Sequence, residues 1–163
     1  MSHKSQAPDK LFSTPLDQIN DFQFDEAVAR VFPDMIKRSV PGYTTIIPMI
    51  SLITERYAQA GSCCYDLGCS LGASTLAMRH GLRNTEASII AVDNSRSMLE
   101  RCGHYIELDN ETTPVDLLLD DVRTIDYQPC SVITLNFTLQ FLNIEDRLPL
   151  LRKLYKALQP GGV

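Results

Sequence analysis

Apolar positions along this chain follow two periods. Short runs at 63–67, 88–93, 115–119 and 131–137 are the length of buried strands. Between them, apolar residues recur at helical spacing over 73–82, 96–108 and roughly 145–158. Asn94 or Ser95 is positioned to cap the second of these helices. Glu145 and Asp146 at the start of the last, with Lys153 and Lys156 toward its end, match the helix dipole. Ahead of the first strand, residues 1–20 are polar and broken by Pro8 and Pro15, which predicts a mobile tail. Phe22 and Phe24 lead into a short helix over 25–32, which Pro33 is expected to interrupt and reopen as a second piece. Val40-Pro41-Gly42-Tyr43 predicts a turn. A third helix should follow, with Ile46, Ile47, Ile50, Ile53 and Tyr57 facing the core.

Strands alternating with helices imply an α/β, Rossmann-like fold: a parallel sheet with helices on both faces. The division is a tail (1–20), a helical N-terminal extension (21–60) and the sheet domain (61–163). The extension could cover a ligand mouth as a lid or pack on the sheet edge. In such sheets ligands lie beyond the carboxyl ends of the strands, where strand order reverses. Asp66, Gly68, Asp93, Asp120, Asp121 and Asn136 all fall at those ends. The close, Leu158-Gln159-Pro160-Gly161-Gly162-Val163, reads as a helix stop and the first residue of a further strand. Four strands alone would leave an apolar edge beside 131–137, so the expectation is the N-terminal portion of a longer protein.

The 163 residues, 44% hydrophobic, suit one domain with a substantial core. A formal net charge of −5 leaves no basic footprint for nucleic acid, and Lys37-Arg38 and Arg152-Lys153 are isolated pairs. Five cysteines, two of them adjacent, fit neither a disulfide framework nor a zinc spacing, so no metal is expected. The first residues lack an apolar signal core, and the longest apolar stretch contains Pro48 and Ser51 and is too short for a membrane. A cytoplasmic location is expected.

The first strand enters Asp66-Leu67-Gly68-Cys69-Ser70-Leu71-Gly72 and then a helix. Gly68 lets backbone approach a ligand, and Gly72 permits the turn into the helix, whose free N–H groups face polar ligand atoms. Asp93 ends the next strand about 20 residues on, where a ribose hydroxyl pair is usually gripped. The pattern Asp-x-Gly-x-x-x-Gly lacks the third glycine of the dinucleotide fingerprint, which argues against a nicotinamide dehydrogenase. It better suits adenosine with an uncharged or cationic 5′ substituent, such as S-adenosylmethionine. An ordinary strand-to-helix turn without a ligand is the bland alternative.

Tyr65-Asp66-Leu67-Gly68-Cys69-Ser70, Asp93-Asn94-Ser95, the run from Asn136 to Phe141 and Pro160-Gly161-Gly162 resemble class I S-adenosylmethionine-dependent methyltransferases. Phe24-Asp25, the run Val31 to Ile36 and the run Arg38 to Tyr43 resemble, more narrowly, the carboxy-S-adenosyl-L-methionine synthase family. The resemblance extends from about Leu11 to the end. It implies conversion of S-adenosylmethionine and prephenate to carboxy-S-adenosylmethionine and phenylpyruvate. It also implies a homodimer, and a tRNA uridine carboxymethyltransferase that uses the product at the wobble position. The synthase itself would handle small molecules and need not hold RNA.

Residue by residue, the family's ligand contacts map onto Tyr43, Gly68, Cys69, Ser70, Asp93, Asn94, Asp121, Val122 and Asn136. Asp93 would take the ribose hydroxyls, Asp121 and the Val122 backbone the adenine edge, and Gly68 to Ser70 the methionine portion. Tyr43 could instead be a packed lid residue, and Asn136 a satisfier of strand-end backbone. Cys69 has no histidine partner in the sequence pattern and reads as a small loop residue rather than a nucleophile. His3, His80 and His104 read as surface residues. No catalytic base is identified, and the family's arginine for the extra carboxylate is expected beyond Val163. The rival readings are an ordinary small-molecule methyltransferase and a non-catalytic cofactor-binding module.

Overall fold

The computed structural model describes residues 26–83 and 85–163. The expected tail (1–20), Phe22, Phe24, Asp25 and His3 lie outside the described residues. Two helices, α1 (Glu26–Ser39) and α2 (Tyr43–Tyr57), precede an alternating array. The array is β1 (Cys63–Leu67), α3 (Ala73–Gly81), β2 (Ser88–Asp93), α4 (Arg96–Leu108), β3 (Val115–Leu119), β4 (Cys130–Thr134) and α5 (Ile144–Ala157). The four strands form one parallel sheet in the order β3-β2-β1-β4. The chain crosses from β1 outward to β2 and β3, then returns to place β4 on the other side of β1. That reversal makes the end of β1 the place where a crevice must open.

β1 is buried along its whole length, as a central strand covered on both faces should be. Its side chains alternate between two cores. Cys63, Tyr65 and Leu67 pack with Leu150 and Leu154 of α5. Cys64 packs on the opposite face with Ile50 of α2 and Ala77, Met78 and Leu82 around α3. Ala91 of β2 meets Leu99 and Cys102 of α4. Helices therefore cover both faces, as the alternation requires.

Three expectations are corrected. Pro33 does not interrupt the first helix; α1 runs through it, so among the described residues two helices rather than three pieces precede the sheet. An internal proline costs a helix about 3 kcal/mol. The packing of Val28 and Ala29 against Leu71 and Met98 supplies tertiary contacts that oppose this cost. In α2, Ile53 is 41% exposed and Thr54 is wholly buried in its place, while Ile46, Ile47 and Tyr57 pack as expected. Strand β4 stops at Thr134 rather than at 137, because Phe137 turns into the left-handed region at φ 61° and carries the chain out of the ladder.

The outer side of β4 is not bare. Leu158 forms a parallel bridge with Cys130, and the Val163 N–H donates to the Ser131 carbonyl at 2.9 Å. The Ile133 N–H donates in turn to the Val163 carbonyl at 2.8 Å. Leu158 and Val163 thus pair with the outer side of β4. All five cysteines are free and buried, and burial pushes Cys64 to about 11 and Cys130 to about 12. No group of metal-binding side chains occurs among the described residues, and no helix among them is long and apolar enough to cross a membrane.

Candidate functional site

A cavity of about 570 Å³ lies beyond the carboxyl ends of the strands. Its size falls within the ordinary range for small-molecule sites, about 300–1,000 Å³. Tyr43, Gly68, Cys69, Ser70, Asp93, Asn94, Asp121, Val122 and Asn136 all line it. Residues from five separate stretches of chain thus converge on one space. Sequence reading missed part of the wall: Phe32, Met35, Ile36 and Lys37 of α1, Ser74 of α3, and Thr138 and Phe141 after β4 also face it. The lid alternative for the helical extension allowed α1 to cover the cavity, but periodicity could not name these residues, because a helix face turned to a cavity has the same pattern as one turned to a core.

The floor is the loop from β1 to α3. The N–H groups of Gly68 and Cys69 both donate to the Val92 carbonyl, at 2.8 and 3.0 Å, tying the loop to the end of β2. Gly68 has φ 75°, and a Cβ there would stand 2.5 Å from the Thr138 hydroxyl, so no side chain fits. Gly72 has φ 82° and opens α3, with Cys102 where its Cβ would be. Between them Ser70, not a glycine, holds φ 51°. A left-handed non-glycine costs about 1–3 kcal/mol and persists where surroundings over-determine it.

Asp93 supplies part of that determination. Its Oδ2 accepts the Ser70 N–H at 2.8 Å and its Oδ1 accepts the Ser95 N–H at 2.9 Å. Each oxygen retains lone-pair capacity for one further donor. Burial pushes the Asp93 carboxyl above its ordinary value, opposed by the N–H groups of Ser95, Ser70 and Asn94. The Ser95 side chain caps α4 by accepting the Met98 N–H at 3.4 Å, so cavity wall and helix start are one unit.

Asp121 lies across the cavity with its carboxylate turned to Arg123, which donates from Nε at 3.0 Å and from Nη2 at 2.5 Å. These hydrogen bonds hold its carboxyl below the ordinary value. Arg123 also donates to Asp146 at 2.7 Å, joining this wall to the start of α5. Tyr43 and Phe137 stand with ring centroids 6.3 Å apart and tilted by 34°. Burial, and secondarily the charge of Asp66, pushes the Tyr43 hydroxyl upward, which keeps it a donor at neutral pH. Asn136 donates to the Ser74 hydroxyl at 3.2 Å.

Cys69 is 4% exposed, and the neighbouring Cys102 thiol together with burial pushes its ionisation strongly upward. A thiol held protonated is no nucleophile. Of the histidines, His104 is exposed and His80 pairs with Asp109 at 3.1 Å on the surface.

Asp66 does not reach the cavity. It is 1% exposed beneath the loop, accepting the Thr75 hydroxyl at 2.6 Å and the Thr134 hydroxyl at 2.8 Å. It therefore joins β1, α3 and β4 rather than touching a ligand. Burial outweighs both hydroxyls and raises its pKa above the 3.8 of an ordinary aspartate. The folded chain accordingly holds this proton to higher pH than the unfolded chain does. Asp66's contribution to stability is full below the ordinary value and is lost as pH rises through the folded value. Asp66→Asn, neutral throughout, should gain relative to the native chain as pH climbs across that window. Urea midpoints measured against pH would show the two profiles diverging; parallel profiles would contradict the raised value.

A methyltransferase-domain family profile matches residues 65–162. The chain is 58% identical over 158 residues to a carboxy-S-adenosyl-L-methionine synthase of Marinobacter nauticus, covering 97% of this chain and 63% of that protein. It is 51% identical over 162 residues to the synthase of that name from Escherichia coli, covering 99% of this chain and 64% of that protein. The chain thus spans slightly under two thirds of the length of these relatives. A candidate S-adenosyl-L-methionine-dependent methyltransferase from Methanococcus maripaludis superposes with a TM-score of 0.67 at 23% identity, over 87% of this chain and 63% of that one. A candidate methyltransferase from Streptococcus mutans, solved with SAH, superposes with a TM-score of 0.55 at 20% identity, over 71% and 68%. The fold is that of the class I methyltransferases.

Proposed function

The chain belongs to the methyltransferase-domain family, and we propose that it carries the cofactor site of a carboxy-S-adenosyl-L-methionine synthase. The observation that carries this reading is the convergence of all nine expected contact residues on one cavity, in a chain 58% identical to a synthase of that name. The residues suit S-adenosylmethionine. Asp93 is fixed by two backbone N–H groups with acceptor capacity left for two vicinal ribose hydroxyls. Gly68 lines the cavity with backbone and no side chain of its own, suiting close approach of the methionine portion. Asp121 and Val122 stand at the wall for the base, and Asn94 beside Asp93 for the sugar.

When bound, S-adenosylmethionine supplies a methyl group acidified by the adjacent sulfonium. The work of the chain is to hold and enclose it. Asp93 would orient the sugar, Cys69 and Ser70 would line the amino-acid end, and the Tyr43 and Phe137 rings stand near each other in the cavity wall. Prephenate is the proposed second substrate, giving carboxy-S-adenosylmethionine, phenylpyruvate and water, the hydroxyl lost from prephenate leaving with the proton lost from the methyl group. A site that excludes water favours capture of carbon dioxide over its escape. The protein would act as a cytoplasmic homodimer, and its product would serve a tRNA uridine carboxymethyltransferase. A formal charge of −5 is consistent with handling small molecules while another protein holds the RNA.

The test is the mass of the ligand that accompanies protein purified from bacteria, together with ultraviolet detection of phenylpyruvate. A ligand heavier than S-adenosylmethionine by one carbon dioxide, with prephenate consumed, is the expected result. S-adenosylmethionine alone would favour an ordinary methyltransferase, and bound ligand with prephenate untouched a binding module.

A further inference from the structure

Thr138 lines the cavity without belonging to any expected contact set, and its hydroxyl is committed elsewhere. It donates to the Leu67 carbonyl at 2.6 Å, tying the loop after β4 to the last residue of β1. Its side chain also occupies the space that a Cβ on Gly68 would need, with Oγ1, Cγ2 and Cβ at 2.5, 2.8 and 3.2 Å from that position. The loop it ties down is strained. Phe137, immediately before it, holds φ 61°, and the Thr138 carbonyl accepts the Phe141 N–H at 3.1 Å to start a short 3-10 turn, Leu139–Phe141. Asn136 and Phe137, the two cavity residues that precede it, have left the β4 ladder and have lost its hydrogen bonds as a support.

From this geometry we infer that Thr138 is a positioning residue for the cofactor site. Its hydroxyl clamps the strand ends on either side of the sheet's reversal point, and so sets two features together. One is the height of the Gly68 backbone at the cavity floor. The other is the left-handed Phe137 turn that aims Asn136 at Ser74 and sets the Phe137 ring beside Tyr43. Gly68 and Thr138 are a matched pair: a side chain at the first and the hydroxyl clamp at the second cannot coexist. The inference rests on the cofactor reading above, because the clamp matters only if the cavity takes the nucleoside.

The test is calorimetric titration of S-adenosylmethionine into the native chain, Thr138→Val and Thr138→Ser, with urea midpoints measured without ligand. Valine keeps the methyl and the shape but loses the donor, leaving the Leu67 carbonyl unpaired. Affinity should fall about tenfold or more. Serine keeps the donor and should bind within about twofold of the native chain. Thr138→Ala, which removes the hydroxyl without adding volume, replaces the valine variant if that one does not fold. A merely structural threonine would lower the urea midpoint and leave the affinity of the folded variant unchanged; that result overturns the inference while sparing the cofactor reading. Serine binding as weakly as valine also overturns it. A native chain that does not bind S-adenosylmethionine removes the cofactor reading, and this inference with it.

Discussion

Arg79→Ala is expected to destabilise the chain by about 3–5 kcal/mol, the usual cost of breaking a buried charged network from one side. Arg79 lies in the last turn of α3 and is 7% exposed. Its Nε donates to the Thr113 carbonyl at 3.0 Å, Nη1 to the Ile106 carbonyl at 3.1 Å and to Asp109 at 3.0 Å, and Nη2 to the Glu111 carbonyl at 2.5 Å. One guanidinium thus satisfies three backbone carbonyls on the segment that leaves α4 and enters β3. Removing it leaves those acceptors without their donor and Asp109 without its charge partner there. Small domains are stable by only about 5–15 kcal/mol, so the loss is a large fraction of the total. Urea unfolding would measure it, and a midpoint equal to that of the native chain would show that the network contributes nothing net. Arg79→Lys should recover part of the loss, because a single ammonium cannot reproduce the fork. The neighbouring ion pair of Arg83 with Glu111 is a useful contrast. Arg83 is 56% exposed, and such surface pairs contribute about 0–1 kcal/mol. The consequence for the site is indirect: β3 ends at Leu119, and the residues after it carry Asp120 and Asp121 to the cavity.

Asp93→Ala should weaken S-adenosylmethionine binding by about 1.5–3 kcal/mol, or roughly 10- to 150-fold. Two effects add. The hydroxyl pair of a ribose loses charge-assisted acceptors, and the N–H groups of Ser70 and Ser95 lose the partner that holds the loop. Ser70, strained at φ 51°, is then free to relax. Asp93→Asn keeps one carbonyl oxygen and removes the charge, so its loss should be intermediate. Calorimetry would decide, and an unchanged affinity in Asp93→Ala would take this residue out of the site.

The order and type of the strands were legible because each is a local pattern. β1, β2, β3 and α4 occupy the ranges that periodicity assigns them, and Ser95 caps α4 as its side chain allows. The residues that line the cavity were legible for a related reason. Parallel topology sends every strand's carboxyl end to one side of the sheet, so Gly68, Asp93, Asp121 and Asn136 needed only correct strands to be brought together. Burial was less legible. Asp66 and Asp93 both lie at the carboxyl ends of strand-like runs, next to last and last, yet one is sealed between two threonines and the other faces the cavity. Arg79 carries no sequence mark that separates it from the surface arginine Arg83.

What the sequence determined by itself is the alternation of strand and helix, the turn at Gly68 and Gly72, and the acid at the end of β2, since these depend on period, backbone freedom and neighbours close along the chain. Tertiary structure alone decided that α1 continues through Pro33, that Thr54 displaces Ile53 from the core, and that Thr138 reaches across to Leu67. Each of these is settled by contacts between residues distant in sequence. The free energy of such contacts exceeds local preferences of a few kcal/mol, and no pattern along the chain records it.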